Sequence, residues 1–237
     1  ILLKIASNPN LTQEVIDALI EKQKRGEYSR HPDGGMGIAR QLVRNEEGVP
    51  LSAVKQLMRS AYTGLDPRMR NLVVRRRDIT PEVEMIALSD DPVKRDLGNV
   101  WKDSAHNSKS PEVLRKIFDW AEENNNDWLL DAVLSNQHTP RDIQEKWMNI
   151  IIKDPRGNTT SGAKMFHLIS NPKLPADILE KLVASLPVSV AQSRYGKLIV
   201  ANDNASTELL KMLVVTPEAD KGNGIRGALF FSENPHP

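Results

Sequence analysis

Apolar residues along this chain gather in short runs, spaced three and four apart, and each run is cut by a polar turn within about three helical turns. One set of runs ends at a recurring polar position: Leu42-Val43 before Asn45, Leu72-Val73-Val74 before Arg76, Ala132-Val133-Leu134 before Asn136, Leu168-Ile169 before Asn171, and Leu198-Ile199-Val200 before Asn202. A second set follows each turn, as in Ile16, Leu19 and Ile20, Leu114, Ile117 and Phe118, Ile178 and Leu182, and Leu210, Leu213 and Val214. The pattern predicts a helix, a tight turn and a second helix, over and over.

The turns carry their own punctuation. In Asn8-Pro9, Asn171-Pro172 and Asn234-Pro235 the proline disfavours helical geometry for the preceding asparagine and stops propagation. Asparagine also tolerates the left-handed conformation that closes many helices, so it is expected in that conformation here. Thr80-Pro81-Glu82, Ser110-Pro111-Glu112 and Thr139-Pro140 then read as an N-cap hydroxyl, a proline in the first turn and an early acid. Aligned on Asn8, Asn45, Arg76, Asn107, Asn136, Asn171, Asn202 and Asn234, the units are separated by 37, 31, 31, 29, 35, 31 and 32 residues. A period of roughly 32 is that of stacked helical repeats.

One such pair cannot bury its apolar stripe alone, whereas a stack shares a continuous core. The expected fold is all-α: a single helical-repeat solenoid over 1–237, with about seven units near 1–30, 36–62, 67–90, 93–123, 127–153, 162–187 and 194–217 and a partial one at 226–237. Because the chain starts and stops inside a unit, a fragment of a longer protein is expected. The phrase N-P-x-x-P-x-x-x-L-x-x-L, as in Asn171 to Leu182, resembles the variant leucine-rich repeat family and, more loosely, HEAT-like repeats. The resemblance implies a fold and no activity. The units here are longer than that family's, with 24–37 and 153–164 inserted between repeats. Some members carry an iron–sulfur module, which a chain without cysteine cannot hold.

Composition narrows the picture little. Charged residues at 27% and apolar residues at 39% fit a folded domain, and 32 basic against 31 acidic residues leave a net charge of +1. With aromatics at only 5%, the core must be aliphatic. The absence of cysteine fits a reducing, cytoplasmic setting. No run approaches a membrane span, so no membrane partner is expected.

Motifs with chemistry mostly fail on inspection. Gly157 to Lys164 nearly spells a phosphate loop, but Ala163 stands where lysine is needed and no buried strand precedes it. Gly222 to Gly227 matches G-x-G-x-x-G literally, again without a strand. The five histidines show no ligand spacing, so neither metal nor cofactor is expected. Trp101, Trp120, Trp128 and Trp147 sit near Asp119, Asp127 and Asp131 in sequence. They read as core filling, or alternatively as a pocket similar to that of HEAT-like DNA glycosylases.

Basic residues recur at or before the first helix of each pair: Arg40, Arg68, Arg70, Arg95, Lys164, Arg194, Lys197 and Arg226. The helix dipole does not favour cations there. The leading expectation is a non-catalytic scaffold that holds a protein or peptide, on the exposed face of the second helices and the long loops. The alternative is nucleic-acid binding along a basic edge formed by Arg75, Arg76, Arg77, Lys164, Arg194, Lys197 and Arg226. The recurring asparagine is read as a cap that bonds to the neighbouring repeat, in preference to a ligand contact.

Overall fold

A computed structural model describes residues 1–25, 37–59, 66–89, 97–153 and 160–214, and among these residues the regular structure is entirely helical, with no strand. Arg95, Arg226, Asn234, His31, His236, the Gly222–Gly227 motif and the partial repeat at 226–237 lie outside the described residues. No described helix is long and apolar enough to cross a membrane. By internal packing the chain divides into two compact units, Ile1–Val113 and Leu114–Pro237.

In the first unit the helices are α1 (Leu2–Ala6), α2 (Gln13–Lys24), α3 (Gly37–Arg44), α4 (Leu51–Arg59), α5 (Pro67–Val74), α6 (Pro81–Ala87) and α7 (Gly98–Asn107). They pack in two rows, as the alternation of runs requires. The row of first helices is α1 on α3, α3 on α5 and α5 on α7; the row of second helices is α2 on α4 and α4 on α6. Leu42, Val43, Leu57, Met69, Val73 and Val83 are buried between the rows. Each such side chain contributes on the order of 2 kcal/mol.

In the second unit α8 (Pro111–Glu123), whose first turn carries the boundary, is followed by α9 (Asp127–Ser135), α10 (Arg141–Lys153), α11 (Thr160–Ile169) and α12 (Ala176–Ala184). There α9 packs on α11, while α10 packs on α11 and α12. The next first-row segment is irregular. A single turn, α13 (Val188–Val190), runs through a wide π-type turn at Ala191–Tyr195 into α14 (Gly196–Val200), and α15 (Thr207–Val214) closes the unit. The wide turn carries Tyr195 into the core, where it is 2% exposed.

Three of the recurring asparagines make long-range bonds from buried positions. Asn171 accepts the Lys173 N–H on Oδ1 at 2.9 Å and donates from Nδ2 to the Asn136 carbonyl, 35 residues earlier, at 2.8 Å. Asn202 does the same with Asn204 N–H (2.8 Å) and the Asn171 carbonyl (2.9 Å). In the first unit Asn45 accepts from Gly48 N–H and donates to the carbonyls of Ala6 and Asn8 at 3.1 and 2.7 Å. Gly48 is obligatory there, because a Cβ would lie 2.6 Å from the Asn8 oxygen and 2.8 Å from Asn45 Nδ2. This ladder of buried amides ties the turns at Asn45, Asn171 and Asn202 to those at Asn8, Asn136 and Asn171.

Three local expectations are corrected. The ladder asparagines are not left-handed; among the described non-glycine residues only Asn125 has positive φ, and Asn136 is extended at φ −76°. They close helices through the side-chain amide instead, a conformation that a following proline also prefers. Asn107 is not the ladder residue of its repeat: it is exposed and donates to the Asp103 carbonyl. Ser108 is, buried at 3% exposure, accepting the Ser110 N–H and donating to Glu84. Nor do Thr80 and Thr139 act as N-cap hydroxyls: Thr80 makes no side-chain capping bond, and the Thr139 hydroxyl turns back to the Val133 and Asn136 carbonyls. Ser110 does cap α8, accepting from Val113 N–H, and Asp66 caps α5.

Candidate functional site

Two clefts open among the described residues of unit 1. The larger, about 990 Å³, lies across α3, α5 and α7. Its position follows from the ladder register. Five residues before the ladder position stand Arg40, Asn71 and Asp103, and one before it stand Arg44 and Arg75. Positions four apart share a helix face, so these side chains line one wall, with Arg68 at the start of α5 and Leu72 and Val100 supplying apolar surface.

The guanidinium groups there are unequally satisfied. Arg75 is clamped on Asp103, with Nε and Nη2 at 2.8 and 2.7 Å from Oδ2, and Asn71 Nδ2 reaches the same oxygen at 2.5 Å. Among the described residues Arg40 has only a long contact, Nη2 to Asp66 Oδ2 at 3.5 Å, and its buried Nε finds no acceptor. Asp66 itself is occupied with capping α5. Arg44 and Arg68 are exposed and have no carboxylate partner among the described residues. Among the described residues the cleft therefore holds four guanidinium groups against two carboxylates.

The second cleft, about 640 Å³, runs beside Arg75, Arg77, Pro81, Glu84 and Lys109. Glu84 is 3% exposed, and burial raises its carboxyl above the ordinary range, opposed by the hydroxyls of Ser104 and Ser108.

The predicted basic edge divides on inspection. Arg76 occupies the ladder position and takes over its work: Nη1 donates to the Val43 carbonyl at 2.7 Å, Nη2 to the Val49 carbonyl at 2.9 Å, and Asp78 holds the Nε side at 2.8 Å. Lys164 is buried in the second unit, its Nζ 2.8 Å from the Asp127 carbonyl, 2.6 Å from Asp131 Oδ1 and 5.9 Å from the Trp147 ring centroid. Both cations face inward. Arg75, Arg77, Arg194 and Lys197 are exposed, with Arg194 over the Tyr195 ring at 5.6 Å. Arg70 is buried and donates to the Ala87 carbonyl.

The aromatic–carboxylate set is scattered. Trp101 is buried in the first unit; in the second, Trp120 and Trp147 are half-buried and Trp128 is 42% exposed. Asp127, Asp131 and Trp147 do meet, but around the Lys164 ammonium, which neutralises the carboxylates; His167 Nε2 adds a 3.5 Å contact to Asp131. Among the described residues no group of His, Asp and Glu has the makings of a metal site. The near-phosphate loop is interrupted by α11, which begins at Thr160 and has α10 before it.

The second helices carry mutually paired charges. Arg115 of α8 grips Asp142 of α10 through two 2.7 Å bonds, holding that carboxyl below its usual range, and Arg141 of α10 reaches Asp177 of α12 at 2.6 Å. Lys55 pairs with Glu82, and Lys146 with Glu122. Arg44 and Asp103 were missed from sequence because neither belongs to a motif; their signal is a fixed offset from the ladder residue. No family of known proteins, curated protein or solved structure matches this chain.

Proposed function

We propose that this chain is a non-catalytic interaction module, a solenoid of about seven helical repeats resembling the variant leucine-rich repeat and HEAT-like folds. Its first-helix face, more than its second helices, holds a protein or peptide partner. The ladder carries this reading. Buried side chains at Asn45, Arg76, Asn171 and Asn202 each bond to a carbonyl 27 to 39 residues earlier, which is what stacked units of one series require. A scaffold so tied internally leaves the exposed side chains of each helix free to differ from unit to unit, and open clefts such as those of unit 1 suit an extended segment.

The experiment is selection of displayed peptides on the purified chain, followed by calorimetry of the winners. A recovered peptide that binds in solution supports the module. Failure to recover any, together with anisotropy showing salt-sensitive binding of a labelled duplex or single strand, favours the nucleic-acid reading instead. That alternative is weakened by Arg76 and Lys164, whose charges are taken up inside the fold.

A further inference from the structure

We infer that the cleft across α3, α5 and α7 is a groove for a short acidic segment of a partner protein, with its carboxylates received by Arg44 and Arg68. The inference rests on the interaction-module reading and gives it a ligand chemistry.

Three observations converge on it. The wall already binds a carboxylate in the way proposed: Asp103 is held by Arg75 Nε, Arg75 Nη2 and Asn71 Nδ2, all within 2.8 Å. Planar guanidinium donors match carboxylate geometry better than any other side chain does. Arg44 and Arg68, in the same cleft, have exposed guanidinium groups with no such partner among the described residues. Arg40 adds a buried Nε that has no acceptor among the described residues, a further donor facing the same cleft.

The shape selects peptide over nucleic acid. Three adjacent helices at about 9 Å spacing span about 20 Å, which an extended chain covers in about six residues. Leu72, Val100 and Pro67 give apolar footing between the charges, suited to a peptide that alternates acidic and aliphatic side chains. Among the described residues no aromatic ring lines the cleft to stack a base. Asp66 and Asp103 stand in the same wall, where a continuous phosphate backbone would meet them.

The test is fluorescence anisotropy on the purified chain with three labelled probes of similar length, about six units. They are a peptide alternating Asp and Leu, the same peptide with Asn for each Asp, and oligothymidylate. The acidic peptide is expected to bind, the neutral one to bind at least about tenfold more weakly, and affinity to fall with salt. Arg44→Glu with Arg68→Glu is expected to weaken acidic-peptide binding by at least about tenfold, Arg44→Gln with Arg68→Gln by less, and Arg194→Glu with Lys197→Glu not at all. All four side chains are exposed, and circular dichroism confirms the fold of each variant. Equal binding of the acidic and neutral peptides, indifference to both Arg44/Arg68 pairs, or tighter binding of oligothymidylate overturns the groove. A displayed peptide that binds without regard to Arg44 and Arg68 overturns the groove while sparing the module; absence of any peptide ligand removes both.

Discussion

Asn171 joins three turns through one residue: its amide receives Lys173 N–H and reaches back to Asn136, and its own carbonyl receives Asn202 Nδ2. Asn171→Ala removes two side-chain hydrogen bonds at a fully buried site, so stability is expected to fall by about 2–3 kcal/mol, read from urea denaturation. Asn171→Asp is expected to cost more at neutral than at acid pH, because an ionised carboxylate would face a carbonyl. At Arg76 the fork is used from every side, so Arg76→Lys is expected to lose about 2 kcal/mol in the same assay although the charge is kept. The ladder was legible at Asn45, Asn136, Asn171 and Asn202 because proline or spacing marked them. It was misplaced by one residue at Asn107, because a serine in Ser108 gives the same local bond without the same letter. Arg76 was legible as a place in the register, but its inward turn depends on carbonyls that no local pattern reveals.

Helices show a different balance. In α6, Glu84 is placed by helical register against the turn that holds Ser108, and burial raises its carboxyl. A carboxyl raised in the folded state favours folding most fully below its unfolded value, near pH 4, and loses that contribution as pH rises through its folded value. Glu84→Gln, which keeps an acceptor for the Ser108 hydroxyl, is therefore expected to be near neutral in effect at acid pH and increasingly stabilising toward neutral pH. Denaturation midpoints of both proteins across that range check it; a gain that shrinks as pH rises would contradict the assigned cause. The period of apolar runs was enough to place most helices, and Pro81 and Pro111 marked starts correctly, with Pro140 one residue before α10. The π-type turn at Ala191–Tyr195 was not legible, since an extra residue in one turn depends on where Tyr195 must be buried.

Across the molecule, the all-helical class was readable from pattern alone, whereas the clefts were not: a groove is a property of neighbouring helices, and its residues lie about 30 positions apart in the chain. The proposed stacking, in which each unit interacts with its nearest neighbours, gives a test by hydrogen exchange. Asn171→Ala is expected to speed exchange at the turns around 136–139, 171–174 and 202–205 while leaving unit 1 unchanged. A uniform rise along the whole chain would count against a stacked series. The ladder has one further property: it has a direction. At Asn45, Arg76, Asn171 and Asn202 the donor belongs to the later segment and the carbonyl to the earlier one. On the ribosome the carbonyl that each of these four side chains needs has already been made when the side chain emerges, so these turns can be closed in the order in which they are translated.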